Sequence, residues 1–250
     1  MLSIKQYMFS HKLLIVAHRG SSGTAPENTR AAYLKALELQ VPAIEIDVHL
    51  TKDFEVVAFH DDFLTRTSQS DLSINQINLN DLENYEIGSW FSEEFAKERI
   101  LTLDNVLQLI VNKAYLIVEI KPSNYFPELL IQKILETIEK YKYSQKTVLV
   151  SFDFELVKII KNINKKYLTA AIKIPEFDLL PAKIQSISNC DAVICSFSEL
   201  TDKFMENAKQ NNIPIGIYDV DSKDEFFVAI NKGVIGIGTN YPEIMLKLIE

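Results

Sequence analysis

The sequence predicts an α/β fold of the TIM-type (β/α)8 class, with a small insertion after a hairpin arm on strand two. Three observations carry this. Short apolar runs alternate with longer amphipathic segments, eight of the runs are spaced widely enough for crossover helices, and 250 residues suits one such barrel. Candidate strands fall at 13–17, 43–48, 56–60, 115–120, 147–151, 168–173, 192–196, 213–218 and 234–238. Helical patterns occupy 27–40, 103–112, 127–141, 153–163, 199–210, 222–231 and 241–249. The second and third strands are joined only by His49 to Glu55, too short for the crossover of roughly a dozen residues that parallel neighbours need. The run 56–60 therefore turns back as a hairpin arm, and the remaining eight strands are the number that closes the barrel. Residues 61–101 lack a clear period, hold the single tryptophan and read as an insertion over one barrel mouth. The chain is expected to be one domain over 1–250.

Composition narrows the functional class. A chain that is 47% hydrophobic can bury a large core, and a net charge of −8 argues against a general nucleic-acid surface. Cys190 and Cys195 are spaced as neither a redox pair nor half a zinc site, and read as buried free thiols. Residues 1–12 are broken by Lys5, Gln6, His11 and Lys12, and no run approaches the ~18 apolar residues of a membrane span. A cytoplasmic protein without an integral membrane segment is expected.

The chemistry gathers near the N-terminus, where all four histidines lie in the first 60 residues. His18 follows the first strand, Glu45 and Asp47 alternate within the second, His60 ends the hairpin arm, and Glu119 and Lys121 end the run 116–121. Side chains alternate along a strand, so Glu45 and Asp47 share one face, as do Glu119 and Lys121. Barrel active sites lie at the C-terminal strand ends, where these three carboxylates converge. Buried together they need either raised pKa values or a cation, and their hard oxygen atoms suit Mg²⁺ or Ca²⁺.

His18-Arg19-Gly20, Pro26-Glu27-Asn28-Thr29, Glu45-Ile46-Asp47-Val48, Thr51-Lys52-Asp53, His60-Asp61 and Glu119-Ile120-Lys121 follow one another in an order and spacing that resemble the glycerophosphodiester phosphodiesterases. Gly88-Ser89-Trp90-Phe91, Leu101-Thr102-Leu103, Ser151-Phe152 and the stretch from Gly233 to Pro242 extend the resemblance over essentially the whole chain. The resemblance implies a metal-dependent barrel enzyme that hydrolyses small-molecule glycerophosphodiesters, such as glycerophosphocholine or glycerophosphoethanolamine, to an alcohol and sn-glycerol 3-phosphate. It places the chain in lipid and glycerol metabolism. It makes His18 and His60 the acid-base pair, Glu45, Asp47 and Glu119 the metal ligands, and Arg19 and Lys121 the phosphate holders. The family often has a tryptophan where this chain reads Ile217-Tyr218-Asp219, so Tyr218 is expected to supply the aromatic wall for substrate. Asn240 stands where an aspartate is frequent, and Leu39-Gln40-Val41-Pro42 lacks the usual glycine.

Two other functions fit the same residues. A lysophospholipase D would need an apolar acyl site near the insertion, and a non-catalytic phosphodiester-binding protein would not need two histidines. Several residues have plainer readings. His49 is a structural or rim residue, His11 is on the surface, and Trp90 and Phe91 either touch substrate or pin the insertion. Pro26 and Glu27 suit a helix's first turn, with the segment positioning the His18 loop. Lys158, Lys161, Lys165 and Lys166 read as a solvated helix end.

Overall fold

A computed structural model describes residues 1–10, 13–122, 126–175 and 177–249; His11 lies outside them. Among the described residues there are ten strands: β1 (Leu14–Ala17), β2 (Ala43–Leu50), β3 (Val56–Ala58), β4 (Leu101–Thr102), β5 (Tyr115–Ile120), β6 (Thr147–Ser151), β7 (Leu168–Ile172), β8 (Ala192–Ser196), β9 (Ile215–Tyr218) and β10 (Gly236–Thr239). Eight are parallel, in the order β1-β10-β9-β8-β7-β6-β5-β2, and pairing of β1 with β2 closes the barrel. The expected arm is β3, antiparallel to the far end of β2 through Val48, His49 and Leu50. A further antiparallel strand, β4, pairs with β3; two residues are too few to show a period in the sequence.

Alternation along the strands makes two apolar compartments. Ile44, Ile46, Val48, Leu116 and Val118 point outward and pack against the surrounding helices, as do Ile215, Ile217 and Ile237 on the opposite side. Leu14, Ile117, Val150 and Ile172 point inward, and Ile4, Tyr7 and Met8 of the helix Ile4–Ser10 join them from the N-terminal end of the barrel. Tyr7 and Tyr115 meet with ring centroids 5.1 Å apart.

Helix starts follow local chemistry. Thr29 caps Arg30–Glu38 and Asp153 caps Phe154–Ile163, while Thr102 and Ser222 form capping boxes with Asn105 and Glu225. The first crossover helix therefore begins after Thr29, and Pro26 and Glu27 precede it instead of forming its first turn. The helix Pro181–Ser188, absent from the sequence expectation, begins with proline and buries only Pro181, Ile184 and Ser188. Lys161 also departs from its expected solvated position. It is 6% exposed, with its ammonium 2.5 Å from Asp191 and donating to the Tyr167 carbonyl at 2.8 Å.

Between β3 and β4 the chain buries Phe59, Leu64, Ile74, Ile77, Leu82 and Ile87 in a cluster of its own with Val57. Trp90 donates its indole N–H to Ile87 within that segment, and the Arg66 guanidinium lies 5.3 Å over its ring. Cys190 and Cys195 are buried free thiols, and no described helix is long and apolar enough to cross a membrane.

Candidate active site

The C-terminal end of the barrel gathers the polar residues. Parallel pairing of β2 with β5 sets Asp47 beside Glu119, and Glu45 lies two residues earlier on the same face. Each of the three offers an oxygen within 4.8 Å of the others, and all three are buried. Lys121 bridges Asp47, at 2.6 Å, and Glu119. The Arg19 Nε approaches Asp47 at 3.0 Å.

The turn after β1 brings Arg19 there. Arg19 and Gly20 both have positive φ, and a Cβ on Gly20 would fall 2.7 Å from Ala32, so glycine is required. In this conformation the Arg19 backbone N–H donates to Glu45 Oε2 at 2.8 Å, and its guanidinium also reaches Glu27 at 3.0 Å. The Pro26–Thr29 segment buttresses the same turn. The Asn28 backbone donates to the Arg19 carbonyl at 3.0 Å, and its side-chain amide donates to Asp47 at 2.8 Å.

The electrostatics are uneven. Burial opposes ionisation of Asp47, but Lys121 and Arg19 outweigh it and hold the carboxyl well below its usual range. Burial, with Asp47 and Glu119 nearby, pushes Glu45 well above the usual carboxylate value. Glu119 is raised by burial and by Asp47. Glu45 Oε1 is buried with no hydrogen-bond partner among the described residues. Fully ionised, the three carboxylates against Arg19 and Lys121 leave one negative charge. An orphaned buried oxygen among converging hard donors fits a divalent cation.

Both candidate histidines border this cluster. His18 Nε2 is 4.0 Å from Glu45 Oε2, while Nδ1 lies 2.9 Å from Asn240 Oδ1 and 3.4 Å from Asp219. Asn240 donates its amide Nδ2 to Asp221 at 2.6 Å, which fixes the orientation of the amide. Its carbonyl oxygen therefore faces His18, so Nδ1 carries the imidazole proton and Nε2 presents a lone pair. His60 Nδ1 lies 2.6 Å from Asp61, whose other oxygen accepts from Arg66 at 2.7 Å. His18 is lowered by burial and by Arg19, and His60 by burial and by Lys121.

All eight residues expected at the site line it or lie in direct contact with it. Tyr218 edges against Phe152 at 6.3 Å, and both rings border the cavity below the histidines. His49 is buried, its Nε2 3.0 Å from the His60 carbonyl, so it braces the arm. Sequence reasoning did not anticipate Asp221, Ser22 or the direct bond from Asn28 to Asp47. Ser22 donates to either the His18 carbonyl or Asn240 Oδ1. The contacts between the His18 loop and Asn240 join positions more than 200 residues apart, and no local spacing encodes them.

A glycerophosphodiester phosphodiesterase from Caldanaerobacter subterraneus subsp. tengcongensis is 30% identical over 240 residues, covering 96% of this chain and 98% of its own. One from Bacillus subtilis is 25% identical, covering 95% and 86%. An Oleispira antarctica phosphodiesterase, solved in complex with the product sn-glycerol-3-phosphate, superposes with a TM-score of 0.88 at 26% identity, covering 97% of this chain and 98% of that one. The model of the glycerophosphoryl diester phosphodiesterase family matches residues 18–244, and the chain belongs to that family.

Proposed function

We propose that this protein hydrolyses glycerophosphodiesters to an alcohol and sn-glycerol 3-phosphate, using a divalent metal held by Glu45, Asp47 and Glu119. The observation that carries this reading is the meeting, at one barrel end, of two imidazoles held through their Nδ1 atoms and a carboxylate cluster with an oxygen unpaired among the described residues. The Oleispira relative, with its bound product, supports the substrate class. When bound, Mg²⁺ or Ca²⁺ would polarise the phosphoryl group and offset its developing charge.

The chain's own groups supply the rest. Lys121 has three N–H donors and spends two on Asp47 and Glu119, leaving one for a phosphoryl oxygen beside Arg19. His18 Nε2 accepts the proton of the substrate's vicinal hydroxyl, whose oxygen attacks phosphorus. The bond from phosphorus to the alcohol breaks, and His60 protonates the departing oxygen. Asp61 supports the protonated form of His60, and the arriving phosphodiester anion favours it further. In the second half the roles reverse. His60 takes a proton from water, the water oxygen opens the cyclic phosphate, and His18 returns its proton to the glycerol oxygen. With its side chain 33% exposed against 15% for His18, His60 is placed for an alcohol leaving toward solvent. Tyr218 offers an apolar wall to the glycerol carbons.

Turnover of deacylated phospholipid head groups in the cytoplasm is the setting this proposal implies, and the buried free thiols are compatible with a reducing compartment. The test is release of glycerol 3-phosphate from glycerophosphocholine and glycerophosphoethanolamine by chelated protein, with Mg²⁺, Ca²⁺ or Mn²⁺ added back. Restored turnover supports the reading. Absence of turnover with every metal, in folded protein, refutes it.

A further inference from the structure

The barrel interior contains a cavity that the proposed hydrolysis of short, polar substrates does not require. Barrels of this class fill their axis with layers of large branched side chains. Here a cavity of about 220 Å³ takes in the charged mouth and runs from it into the axis. It is continuous from His18, His60 and Lys121 at one end to Met8 of the N-terminal helix at the other. Beneath the charged rim its wall is apolar.

The space is made on one side of the barrel. On β6, β7 and β8 the inward positions carry Val148, Val150, Ala170, Ile172, Ala192 and Ile194, whereas on β9 and β10 they carry Gly216, Gly236 and Gly238 below Tyr218. Neither Gly236 nor Gly238 has a positive φ, and a Cβ built on either would meet its neighbours at 3.5 Å or more. Neither backbone conformation nor close packing therefore requires glycine at these two positions. What the missing side chains leave is room. Met8 lines the far end, and Ile4 and Tyr7 of the same helix pack into the inward cluster there.

We propose that this cavity binds a single linear alkyl chain of a phosphodiester whose phosphate lies at the His18–Lys121 end, which makes single-chain phospholipid-like diesters a substrate class of this site. The inference rests on the phosphodiesterase reading above. It also moves the acyl site expected near the insertion to the barrel axis. An aliphatic cavity with one charged mouth suits a straight chain attached to an anionic head. Each methylene that leaves water for it should tighten binding about fourfold.

The test uses n-alkyl phosphates from ethyl to decyl as probes, titrated calorimetrically below their micellar concentrations. Affinity should rise about fourfold per methylene and then level off when the chain reaches the far end. Gly236→Val and Ala192→Leu, both toward that end, should bring the plateau to shorter chains. Ethyl phosphate affinity and glycerophosphocholine turnover should stay unchanged in both. Either variant alone serves if the other fails to fold. In parallel, kcat/KM for octanoyl-glycerophosphocholine and for glycerophospho-octanol is compared with that for glycerophosphocholine. A gain with either supports the proposal and identifies the ester that carries the chain. An affinity independent of chain length, or a chain dependence that neither variant alters, overturns it. Absence of turnover of all three diesters in the wild type would instead refute the phosphodiesterase reading, while the alkyl phosphate series would still report on the cavity.

Discussion

Replacing Asp221 tests how the fold sets the proton on His18. The Asp221 carboxylate accepts from the Asn240 backbone N–H at 2.8 Å, from the Asn240 amide at 2.6 Å and from the Thr239 hydroxyl at 2.9 Å. Bonds to a charged acceptor contribute about 1.5–3 kcal/mol each, are not additive, and here belong to a half-buried group. Asp221→Ala should therefore cost about 2–3 kcal/mol and lower Tm by roughly 4–12 °C. The effect on rate is separate. Without Asp221 the Asn240 amide can rotate and donate to His18 Nδ1, moving the imidazole proton to Nε2, where the base must be free. Only Ser22 then favours the productive orientation. Losing about 1–1.5 kcal/mol of orientational preference corresponds to a fall in kcat of about 5–12-fold, with KM nearly unchanged. Asp221→Asn keeps an acceptor and should recover most of the loss. Nitrogen-15 shifts of His18 report the tautomer directly. Folded Asp221→Ala protein with wild-type kcat and a proton still fixed on Nδ1 would refute the argument.

Three further predictions follow from the same contacts. His18→Ala and His60→Ala should each reduce turnover by about 10² or more while phosphate binding persists, as a competition assay with glycerol 3-phosphate would show. Metal binding should release protons, because burial raises Glu45 and Glu119 and a ligating carboxylate must be ionised. Affinity for Mg²⁺ or Ca²⁺ should thus increase as pH rises from the ordinary carboxylate range through the raised values, then flatten. Calorimetry in buffers of different ionisation enthalpy reads the proton count, which should fall in Glu45→Gln. Lys161→Met keeps the aliphatic stem but strips the Tyr167 carbonyl and Asp191 of their ammonium partner. It should cost about 2 kcal/mol, lower Tm by roughly 4–8 °C and leave activity unchanged.

What could be read from the sequence divides along physical lines. Strands buried on both faces are continuous apolar runs, so the barrel strands stood out, and the seven-residue link from His49 to Glu55 forced the arm. Glu45, Asp47 and Glu119 were visible because charge inside an apolar strand is costly and demands a partner. Pro181–Ser188 escaped because its short buried face carries little more than Ile184. Lys161 escaped because its burial depends on Asp191, which arrives from a later turn of the barrel. Asp221 and Ser22 act through long-range hydrogen bonds that leave no period. The cavity had a faint sign, glycine alternating with isoleucine through Gly236-Ile237-Gly238, but only the closed barrel shows that those glycines face its axis.

Phosphorus-31 NMR of glycerophosphocholine hydrolysis, with metal-reconstituted protein, addresses the central claim most directly because it identifies which ester bond breaks. Choline and glycerol 3-phosphate as products, formed at least 10²-fold more slowly by His60→Ala, are the predicted result. Formation of phosphocholine and glycerol, or wild-type rates in His60→Ala, would contradict it.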